Sequence, residues 1–279
     1  MANMQKYHAG DMATILRHNF REVASGNYSN PDIKNERRKL NMSLSPDFGR
    51  VAGKRHKAAL KRYEERRQEV GGSKRKDLVT AAEWIISLPK EIWDMSEAMN
   101  GGEPFPTGST LREVEAFFKA TEDFLEERYG PENVLAAEVH FDEGRMIPLQ
   151  ETNWDGTPRF EKTASGKSVP VWKRDEKGNI IVVQGYGQPH LHFDFMPIVN
   201  GKDGSERFCA KQLLDRRELS IFHHDLNDYL KAHGVKGAVL NGSTRDHSFT
   251  VEQLKAGIKE EYERFRREHE QSHAQQHNW

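Results

Sequence analysis

Two segments of alternating polarity, far apart in the sequence, place histidines on the polar faces of two predicted strands. In residues 133–142 the alternation puts His140 on the face opposite most of the apolar side chains. In residues 190–196 it puts His190, His192 and Asp194 together on one face. The opposite faces are assigned to Asn133, Leu135, Ala137, Val139 and Phe141 in the first segment and to Leu191, Phe193 and Phe195 in the second. If the two strands are neighbours in one sheet, three imidazoles and a carboxylate converge on one spot.

These residues have the composition of a metal site. Three imidazoles and a carboxylate suit a borderline divalent cation such as Mn²⁺ or Zn²⁺ and leave positions open for water or a phosphate oxygen. The alternative is that three partly exposed histidines lie on a solvated sheet face. Because a His-x-His pair alone is a weak motif, it is the second strand, carrying His140 and then Glu143, that favours a metal site.

The composition is that of a very polar chain that still has material for a hydrophobic core. Its 279 residues are 30% charged and have a mean hydropathy of −0.85, yet they include 14 Phe, 5 Trp and 7 Tyr. This length allows one large domain or two small ones. No apolar run approaches the ~20 residues of a membrane span, and the first residues lack the apolar stretch of a secretion signal. The single cysteine, Cys209, excludes an internal disulfide. We therefore expect a cytoplasmic protein without a membrane span.

The net charge of −1 conceals a strongly basic segment. Residues 34–76 contain 15 Lys or Arg against 5 Asp or Glu, a local charge of +10, so the rest of the chain carries −11. Such a patch is the electrostatic footprint of a nucleic-acid partner. In residues 61–69 interleaved acids favour ordinary ion pairs on a solvated helix face, but the flanking runs lack such acids. The candidate DNA-binding residues are Arg37, Arg38, Lys39, Lys54, Arg55, Lys57, Lys74, Arg75 and Lys76.

The order of the predicted elements is that of an α+β fold. Helices are indicated by apolar periodicity, capping boxes and glycine stops, and strands by alternation and flanking Gly or Pro. The predicted strands are residues 4–7, 39–44, 78–87, 133–142, 169–173, 179–184 and 190–196. The predicted helices are residues 11–25, 50–70, 110–129 and 216–233, with a polar helix after residue 250.

Several motifs, spread over residues 4–240, together resemble those of a known family. They are Met4-Gln-Lys with Ala9-Gly10, His18-Asn19-x-Arg21, Ser29-Asn30-x-Asp32-Ile33 with Leu40-Asn41, Glu83-Trp84-Ile85-Ile86, His140-x-Asp142-Glu143, and Pro189-His190-x-His192. In this order they resemble the MobV relaxases, also called plasmid mobilisation or plasmid recombination (Mob/Pre) proteins, of the HUH endonuclease class. The resemblance implies a relaxase domain over residues 1–245, with a central antiparallel sheet of about five strands flanked by helices. Residues 246–279 would then form a C-terminal helix, the start of a dimerisation region.

The resemblance also implies roles for individual residues. His18 corresponds to the nucleophile that attacks the scissile phosphodiester at an origin of transfer, leaving a 5′-phosphohistidine and a free 3′-OH. Arg21 would contact the DNA phosphate and stabilise the developing negative charge. Glu143 would either reach the metal or hydrogen-bond His18. The implied metal ligands are His140, His190 and His192, and the implied ion is Mn²⁺ or Mg²⁺. Without the resemblance, a His-x-x-Arg pair is a weak signal, because surface helices carry such pairs by chance.

One departure from the family is an insertion, residues 144–188, between Glu143 and the second histidine strand, where family members usually have a short connection. We expect an added β-hairpin at the edge of the sheet instead of a separate domain, because so few residues scarcely form an independent core. The turn of this hairpin is predicted at residues 175–178. Trp154 and Trp172 could stack on unpaired bases, although packing of Trp172 onto the sheet is an equal alternative.

Three functions compete on the sequence. The first is a metal-dependent relaxase that nicks and rejoins single-stranded or hairpin origin-of-transfer DNA, with a conjugation coupling protein and a second copy of the chain left open as partners. The second is a related HUH replication initiator or transposase, which would use a tyrosine nucleophile. Its candidates here are Tyr7, Tyr28 and Tyr63. The third is a non-catalytic origin-binding regulator. The presence of His18 and Arg21 beside the three histidines favours the relaxase.

Overall fold

In the computed structural model, the described residues are 2–23, 33–71, 75, 77–89, 91–92, 108–163, 166 and 168–239. The predictions for Tyr28, Lys74, Lys76 and the C-terminal residues 246–279 lie outside them. The strands are β1 (Ala2–His8), β2 (Met42–Ser43), β3 (Val79–Ser87), β4 (Val134–His140), β5 (Gly144–Pro148), β6 (Phe160–Lys162), β7 (Ser168–Pro170), β8 (Val182–Tyr186), β9 (His190–Phe195), β10 (Ile198–Asn200) and β11 (Glu206–Phe208). The helices are α1 (Met12–Asn19), α2 (Arg55–Val70), α3 (Gly108–Tyr129), α4 (Ala210–Leu213) and α5 (Arg216–Ala232). None of the helices in this described part of the chain combines the length and apolarity that crossing a membrane requires.

Five of the strands form one antiparallel sheet in the order β1-β3-β9-β4-β2. The predicted α+β fold with a central antiparallel sheet is therefore confirmed. Strand β9 lies at the centre, between β3 and β4, although both precede it by many residues. Its pairing with β4 sets His140 directly opposite His190. The two histidine strands are thus neighbours, as the metal-site prediction requires.

Helices cover the sheet on both faces, which explains why its central strands are buried on both sides. One face packs against α3 and α5 in a large core, where Trp84 stacks on Phe222 with ring centroids 3.6 Å apart. In the same core Tyr129 stacks on Phe195 at 4.2 Å. The other face packs against α1 and α2 in a smaller core. The histidines lie on this second face, because the ring of His140 hydrogen-bonds to the end of α1.

The predicted alternation of β4 is wrong at its beginning and right at its end. The register with β9 shifts between Val134 and Ala136, which marks a β-bulge. As a result, Leu135 packs into the smaller core, whereas Ala137 packs into the larger one, although the alternation predicted a shared face. Beyond the bulge the alternation holds, so the predicted orientation of His140 is unaffected.

Several predicted elements begin or end elsewhere, in each case where the backbone turns. The helix predicted at residues 11–25 ends at Asn19, and Arg21 adopts a left-handed φ of 53°. Helix α2 begins later than predicted, after Gly53, whose φ is 72°. The strand predicted at residues 39–44 is reduced to β2 because a 3-10 turn occupies the preceding residues.

The insertion folds as a stalk with short hairpins instead of the single hairpin predicted. The predicted turn at residues 175–178 is present, since Gly178 N donates to Asp175 O at 2.9 Å. The predicted pairing of the flanking segments is present next to the turn, where Arg174 bridges Ile180 and Ile181 N donates to Lys173 O at 2.8 Å. Farther from the turn the prediction is wrong, because β8 pairs with β5 and β7 pairs with β6. None of the described side chains in residues 148–181 is buried. We call residues 149–181 the insertion lobe; its described residues form no core and are held together by backbone hydrogen bonds.

The two ends of the insertion meet beside the histidines. Gly187 N donates to Glu143 O at 2.7 Å, so the chain returns to the point at which it left the sheet. A Cβ atom at Gly187 would lie 2.3 Å from the same oxygen, and only glycine allows this approach. This contact keeps Glu143 next to His190 despite the intervening residues. The insertion therefore does not separate Glu143 from the histidine pair.

Candidate active site

The three predicted metal-binding histidines form one cluster on the sheet. The ring centroids of His140 and His192 are 4.5 Å apart, those of His190 and His192 are 4.8 Å apart, and those of His140 and His190 are 5.6 Å apart. All three come from adjacent strands, which makes their relative positions a property of the sheet and not of a loop. The structure therefore brings together the residues that the alternation placed on one face.

Each imidazole uses one ring nitrogen for a hydrogen bond to a fixed acceptor. The three bonds are His140 Nε2 to Asn19 O at 2.8 Å, His192 Nδ1 to Glu83 Oε1 at 2.6 Å, and His190 Nδ1 to Gln188 O at 2.9 Å. A carbonyl or carboxylate oxygen can only accept, so the bonded nitrogen carries the proton. The other nitrogen of each ring then keeps its lone pair, which is the arrangement found around protein-bound metal ions.

The remaining nitrogens and Glu143 point to a common centre. His140 Nδ1 and His192 Nε2 are buried and have no hydrogen-bond partner in the described structure. Glu143 lies 3.8 Å from His140 Nδ1 and 3.8 Å from His190 Nε2. One donor atom from each of the four residues lies within 4.8 Å of the others. Donors bound to one ion at about 2.0–2.3 Å lie up to about 4 Å apart, so a small closure allows the set to hold a metal.

The shifted pKa values of these residues favour the protonation states that bind a cation. Burial lowers the pKa of His140 well below its ordinary value and also lowers the pKa of His190. Burial alone would raise the pKa of Glu143, but the adjacent His190, His18 and Arg21 hold it well below the usual range. Neutral imidazoles and an ionised carboxylate are the forms that bind a metal. A nitrogen-rich set of this kind suits Mn²⁺ better than Mg²⁺, which prefers oxygen ligands.

The predicted nucleophile, His18, lies against this cluster in the last turn of α1. Its ring centroid is 6.2 Å from those of His140 and His192. Its Nε2 lies 3.8 Å from Glu143 Oε1 and accepts a hydrogen bond from Arg21 Nη1 at 2.9 Å. Because a guanidinium can only donate, Nε2 carries the lone pair and the proton lies on Nδ1. The side chain of His18 is 26% exposed, so a substrate can reach it.

Arg21 is held rigidly between the predicted nucleophile and two carboxylates. Its guanidinium donates to Asp142 at 2.9 and 3.0 Å and to Glu143 Oε1 at 2.6 Å. The residue is 3% exposed and adopts a left-handed backbone conformation, which costs about 1–2 kcal/mol outside glycine. Charge-assisted hydrogen bonds of this kind contribute about 1.5–3 kcal/mol each, so they offset that strain and direct Nη1 towards His18.

A second layer of polar residues supports the cluster, and it includes Asp194, which the alternation placed on the histidine face. Asn19 Nδ2 donates to Glu83 Oε1 at 2.8 Å and to Asp194 Oδ2 at 2.7 Å. Tyr7 donates its hydroxyl hydrogen to Glu83 Oε2 at 2.6 Å. Burial would raise the pKa of Glu83, but the adjacent His192 and the hydrogen bonds lower it, whereas burial and the charge of Glu83 raise the pKa of Asp194. The signal in the sequence was a carboxylate, Glu83, within an otherwise apolar central strand.

The tyrosines considered as alternative nucleophiles are engaged elsewhere where the structure describes them. The Tyr7 hydroxyl is bound to Glu83, and burial raises its pKa further. Tyr63 is fully buried, with its hydroxyl 2.6 Å from Thr80 Oγ1. The raised pKa of Tyr7 disfavours the phenolate that would attack, and the burial of Tyr63 keeps it from a substrate. His18 is partly exposed and needs no base, because its Nε2 already carries a lone pair.

The predicted DNA-binding residues do not form one uniform patch. Arg55 Nη2 donates to Glu138 Oε1 at 2.8 Å and its guanidinium lies over the Phe20 ring. Arg38 donates to the backbone oxygen of Arg21. Arg75 Nε pairs with Asp77 at 3.0 Å, and Arg37 lies partly exposed in the 3-10 turn. The predicted residues whose side chains face solvent in the described structure without a recorded acidic partner are Lys39, Lys54 and Lys57.

Comparison with known proteins identifies the family. A family model described as Plasmid recombination enzyme, the Mob/Pre family, matches residues 1–253. The chain belongs to this family. This Mob/Pre protein is 25% identical over 236 residues to a plasmid recombination enzyme of Streptococcus agalactiae, a match that covers 85% of the chain but 34% of the relative. It is 24% identical over 276 residues to one from Lactiplantibacillus plantarum, covering 98% of the chain and 57% of the relative. The chain thus spans a third to somewhat over half of these relatives.

Solved structures extend this likeness to the fold. The Mob/Pre chain matches the Mn-bound relaxase domain of MobM in complex with plasmid pMV158 oriT DNA with a TM-score of 0.58 and 25% identity. The match covers 92% of this chain and 98% of that one. A second Mn-bound MobM complex with oriT DNA matches with a TM-score of 0.57 and 25% identity. The resemblance to the relaxase family inferred from the motifs is therefore confirmed.

Proposed function

We propose that this chain nicks one strand of DNA at an origin of transfer, with His18 as the nucleophile. The observation that carries the proposal is the position of His18 Nε2 beside three imidazoles that each aim an unprotonated nitrogen at one centre. The MobM relaxase domain, which is Mn-bound and in complex with oriT DNA, supports the same substrate and ion for this chain. Within this proposal, the enzyme acts in the cytoplasm on the origin of its own mobile element.

The proposed reaction is an attack of His18 Nε2 on the scissile phosphorus. The new N–P bond forms as the bond from phosphorus to the 3′ oxygen breaks, so the product is a 5′-phosphohistidine and a 3′-OH. The 3′ oxygen takes up one proton, and the Nδ1 proton of His18 can leave to solvent, which balances the step. Because the phosphoramidate is a high-energy link, a 3′-OH can reverse the attack and rejoin the strand.

The proposed roles of the surrounding residues follow from their contacts. His140, His190, His192 and Glu143 would hold a divalent ion, which when bound withdraws negative charge from a phosphate oxygen. Arg21 donates to Nε2 of His18 before the attack. As that lone pair bonds to phosphorus, the same N–H can turn to a phosphate oxygen and stabilise its charge. Asp142, which is fully buried, keeps the guanidinium in place throughout.

A plasmid assay tests the activity and its metal requirement. Supercoiled plasmid carrying the element's own origin should be converted to open circles with Mn²⁺, and EDTA should stop the conversion. A tyrosine-dependent replication initiator would lose nicking on Tyr→Phe substitution and keep it when His18 is replaced. A non-catalytic regulator would bind the plasmid and leave it supercoiled under every condition.

We further propose that exposed lysines of the basic segment grip the DNA phosphates. Replacing Lys39, Lys54 and Lys57 by Gln should reduce the slope of log affinity against log salt by up to about 3, because each phosphate contact contributes about 0.9. Arg55, a candidate from the sequence, is left unchanged because it pairs with Glu138. Fluorescence anisotropy with duplex origin DNA over a range of salt concentrations measures the slope.

A matched control removes the same charge from α2. Lys61, Arg62 and Arg67 pair with glutamates of the same helix at 3.6, 2.9 and 2.8 Å. Their replacement by Gln should change the slope less, since those cations are already neutralised. Equal changes in both triple variants would mean that the affinity depends on overall charge and not on the proposed lysines.

The insertion lobe is proposed to recognise DNA beside the nick. Trp154 at a hairpin turn is 99% exposed and Phe160 is 56% exposed, which suits stacking on unpaired bases. Replacing residues 149–181 by a short Gly/Ser linker should spare Mn²⁺ binding, because the stalk and the contact of Gly187 with Glu143 remain. The same change should weaken or retarget origin binding. Calorimetry with Mn²⁺ and anisotropy with origin DNA separate the two effects, and a folded variant without Mn²⁺ binding would contradict the proposal.

A further inference from the structure

A small pocket opens next to the end of α1, beside its C-cap residue Phe20. Its lining is Phe20, Ser45, Pro46, Asp47, Phe48, Gly49 and Arg55, and its cavity volume is about 140 Å³. Two aromatic rings form its apolar part, and the Arg55 guanidinium lies 4.6 Å from the centroid of the Phe20 ring. The pocket therefore combines ring surfaces with a cation. None of its residues has a role in the proposed reaction or in the proposed phosphate binding by lysines.

The polar part of this pocket is built around one buried carboxylate. Glu138, which is 5% exposed, accepts hydrogen bonds at Oε1 from Ser43 Oγ at 2.5 Å, Ser45 Oγ at 2.7 Å and Arg55 Nη2 at 2.8 Å. Arg55 compensates the charge of Glu138, so the pocket does not repel a phosphate chain through that carboxylate. The network also fixes Arg55 and Ser45 in position.

The register of the sheet connects this pocket to the proposed metal centre. Glu138 and His140 are two residues apart on β4 and therefore share a face, at a spacing of about 6.6 Å. Glu138 is also the residue directly opposite His192 on β9. Phe20, which lines the pocket, is two residues from His18 and caps the end of the same helix. A strand with its scissile phosphate at His18 therefore passes close to the pocket.

We infer that this pocket binds one unpaired nucleobase of the strand that is cut, next to the scissile phosphate. An apolar cavity of about 150 Å³ accepts one benzene ring, so the volume here matches the six-membered ring of a pyrimidine. The half-buried Phe48 supplies the stacking ring, the Arg55 guanidinium over the buried Phe20 ring supplies a second planar surface, and Asp47 supplies an acceptor for an N–H group of a base edge. The inference rests on the proposed function for the path of the strand, and it adds a base-binding site to that path.

The test compares two probes that differ only in their bases. The probes are a short oligothymidylate and an abasic oligodeoxyribose phosphate of equal length, bound in EDTA so that no cleavage occurs. Replacing Phe48 by Leu keeps an apolar side chain and removes the ring. It should weaken oligothymidylate binding by about 5- to 150-fold, the range to which stacking energies per base convert. Binding of the abasic probe should stay within about 2-fold, because its phosphates contact other residues.

Two further variants separate stacking from general damage. Phe48→Trp restores a ring and should recover most of the oligothymidylate affinity. Tyr229→Leu makes the same ring-to-Leu change in α5, on the opposite face of the sheet, and should change neither affinity. Equal weakening of both probes by Phe48→Leu, or no weakening of either, would overturn the inference.

Cross-linking tests the site without any substitution. An oligonucleotide that carries 5-iodouracil should cross-link on irradiation to Phe48 or Phe20 of the unchanged protein, as identified by mass spectrometry. Cross-links confined to other regions would overturn the inference. Neither measurement depends on nicking, so a protein that failed the plasmid assay could still pass both. The proposed function and the base pocket can therefore fail separately.

Discussion

Replacing His18 by Ala is expected to abolish nicking of origin plasmid while leaving origin binding intact. The imidazole is the only group in the described site with an unprotonated nitrogen, partial exposure and a guanidinium neighbour. Loss of a nucleophile removes a covalent step that no neighbour replaces, so the rate should fall by at least about 10⁴-fold. Binding should change by less than about 2-fold, because we propose that the affinity for phosphates depends on exposed lysines elsewhere.

The measurement pairs plasmid nicking with anisotropy on the same preparations. His224→Ala provides a matched control, since it removes an exposed imidazole from α5 on the far face of the sheet. The covalent product of the unchanged enzyme gives a second readout: a phosphoramidate is lost in acid and survives alkali, whereas a tyrosine adduct resists acid. Continued nicking by the His18 variant, with an acid-stable adduct, would show that a tyrosine is the nucleophile.

The sequence predicted the face of the sheet on which the histidines lie, because side chains along a strand alternate between its two faces. The alternation in residues 190–196 held throughout, since β9 has no irregularity in its pairing with β3. In β4 the same reasoning failed at Leu135, because a bulge inserts one residue and exchanges the faces before it. His140 was still placed correctly because it follows the bulge. The alternation along a strand therefore predicts which face a side chain occupies only up to the next bulge.

The contacts that complete the site were not readable, because they join residues distant in sequence. Glu83 bonds to His192 across 109 positions, and Asn19 bonds to Asp194 across 175. Periodicity reports which way a side chain points and contains no information about which strand lies beside it. The prediction for the insertion was incomplete for the same reason. The local turn at residues 175–178 was predicted, but the pairing of β5 with β8 joins residues that are distant in sequence.

Arg21 illustrates how a correct residue can have an unexpected geometry. A spacing of three from His18 suggested two side chains on one helical face. In the structure the helix has already ended at Asn19, and a left-handed turn brings the guanidinium back to His18. The strain is tolerated because Asp142 and Glu143 bind the side chain. Such a conformation is not encoded in local propensity, which disfavours it for arginine.

The second large effect is expected at the metal centre, where His192→Ala should weaken Mn²⁺ binding by more than roughly 100-fold. His192 lies between the other two histidines, with its ring centroid within 4.8 Å of both. Its loss removes a direct ligand and leaves two imidazoles and one carboxylate, a set that can still hold a divalent ion. We therefore expect a larger fall in affinity than loss of an outer partner causes, and not complete loss of binding. Calorimetry with Mn²⁺ measures the fall, and nicking should decrease with it.

A graded version of the same experiment tests why His192 is oriented as it is. Glu83 Oε1 accepts the Nδ1 proton of His192, which leaves Nε2 with the lone pair that a metal requires. In Glu83→Gln the charge is lost and the amide can present N–H to the ring, so the wrong tautomer is no longer excluded. Loss of such an outer partner typically weakens metal binding by about 10- to 100-fold.

The control for Glu83 is another hydrogen-bonded glutamate, far from the histidines. Glu218 of α5 accepts hydrogen bonds from Arg128 Nε at 2.7 Å and from the Tyr129 hydroxyl at 2.8 Å. Glu218→Gln should therefore leave Mn²⁺ affinity unchanged, whatever it does to the temperature of unfolding. If both Gln variants lowered Mn²⁺ affinity equally, the effect would reflect general destabilisation. If only Glu83→Gln does so, the proton on His192 Nδ1 is what keeps Nε2 available, and the central strand β3 contributes to the metal site without supplying a ligand.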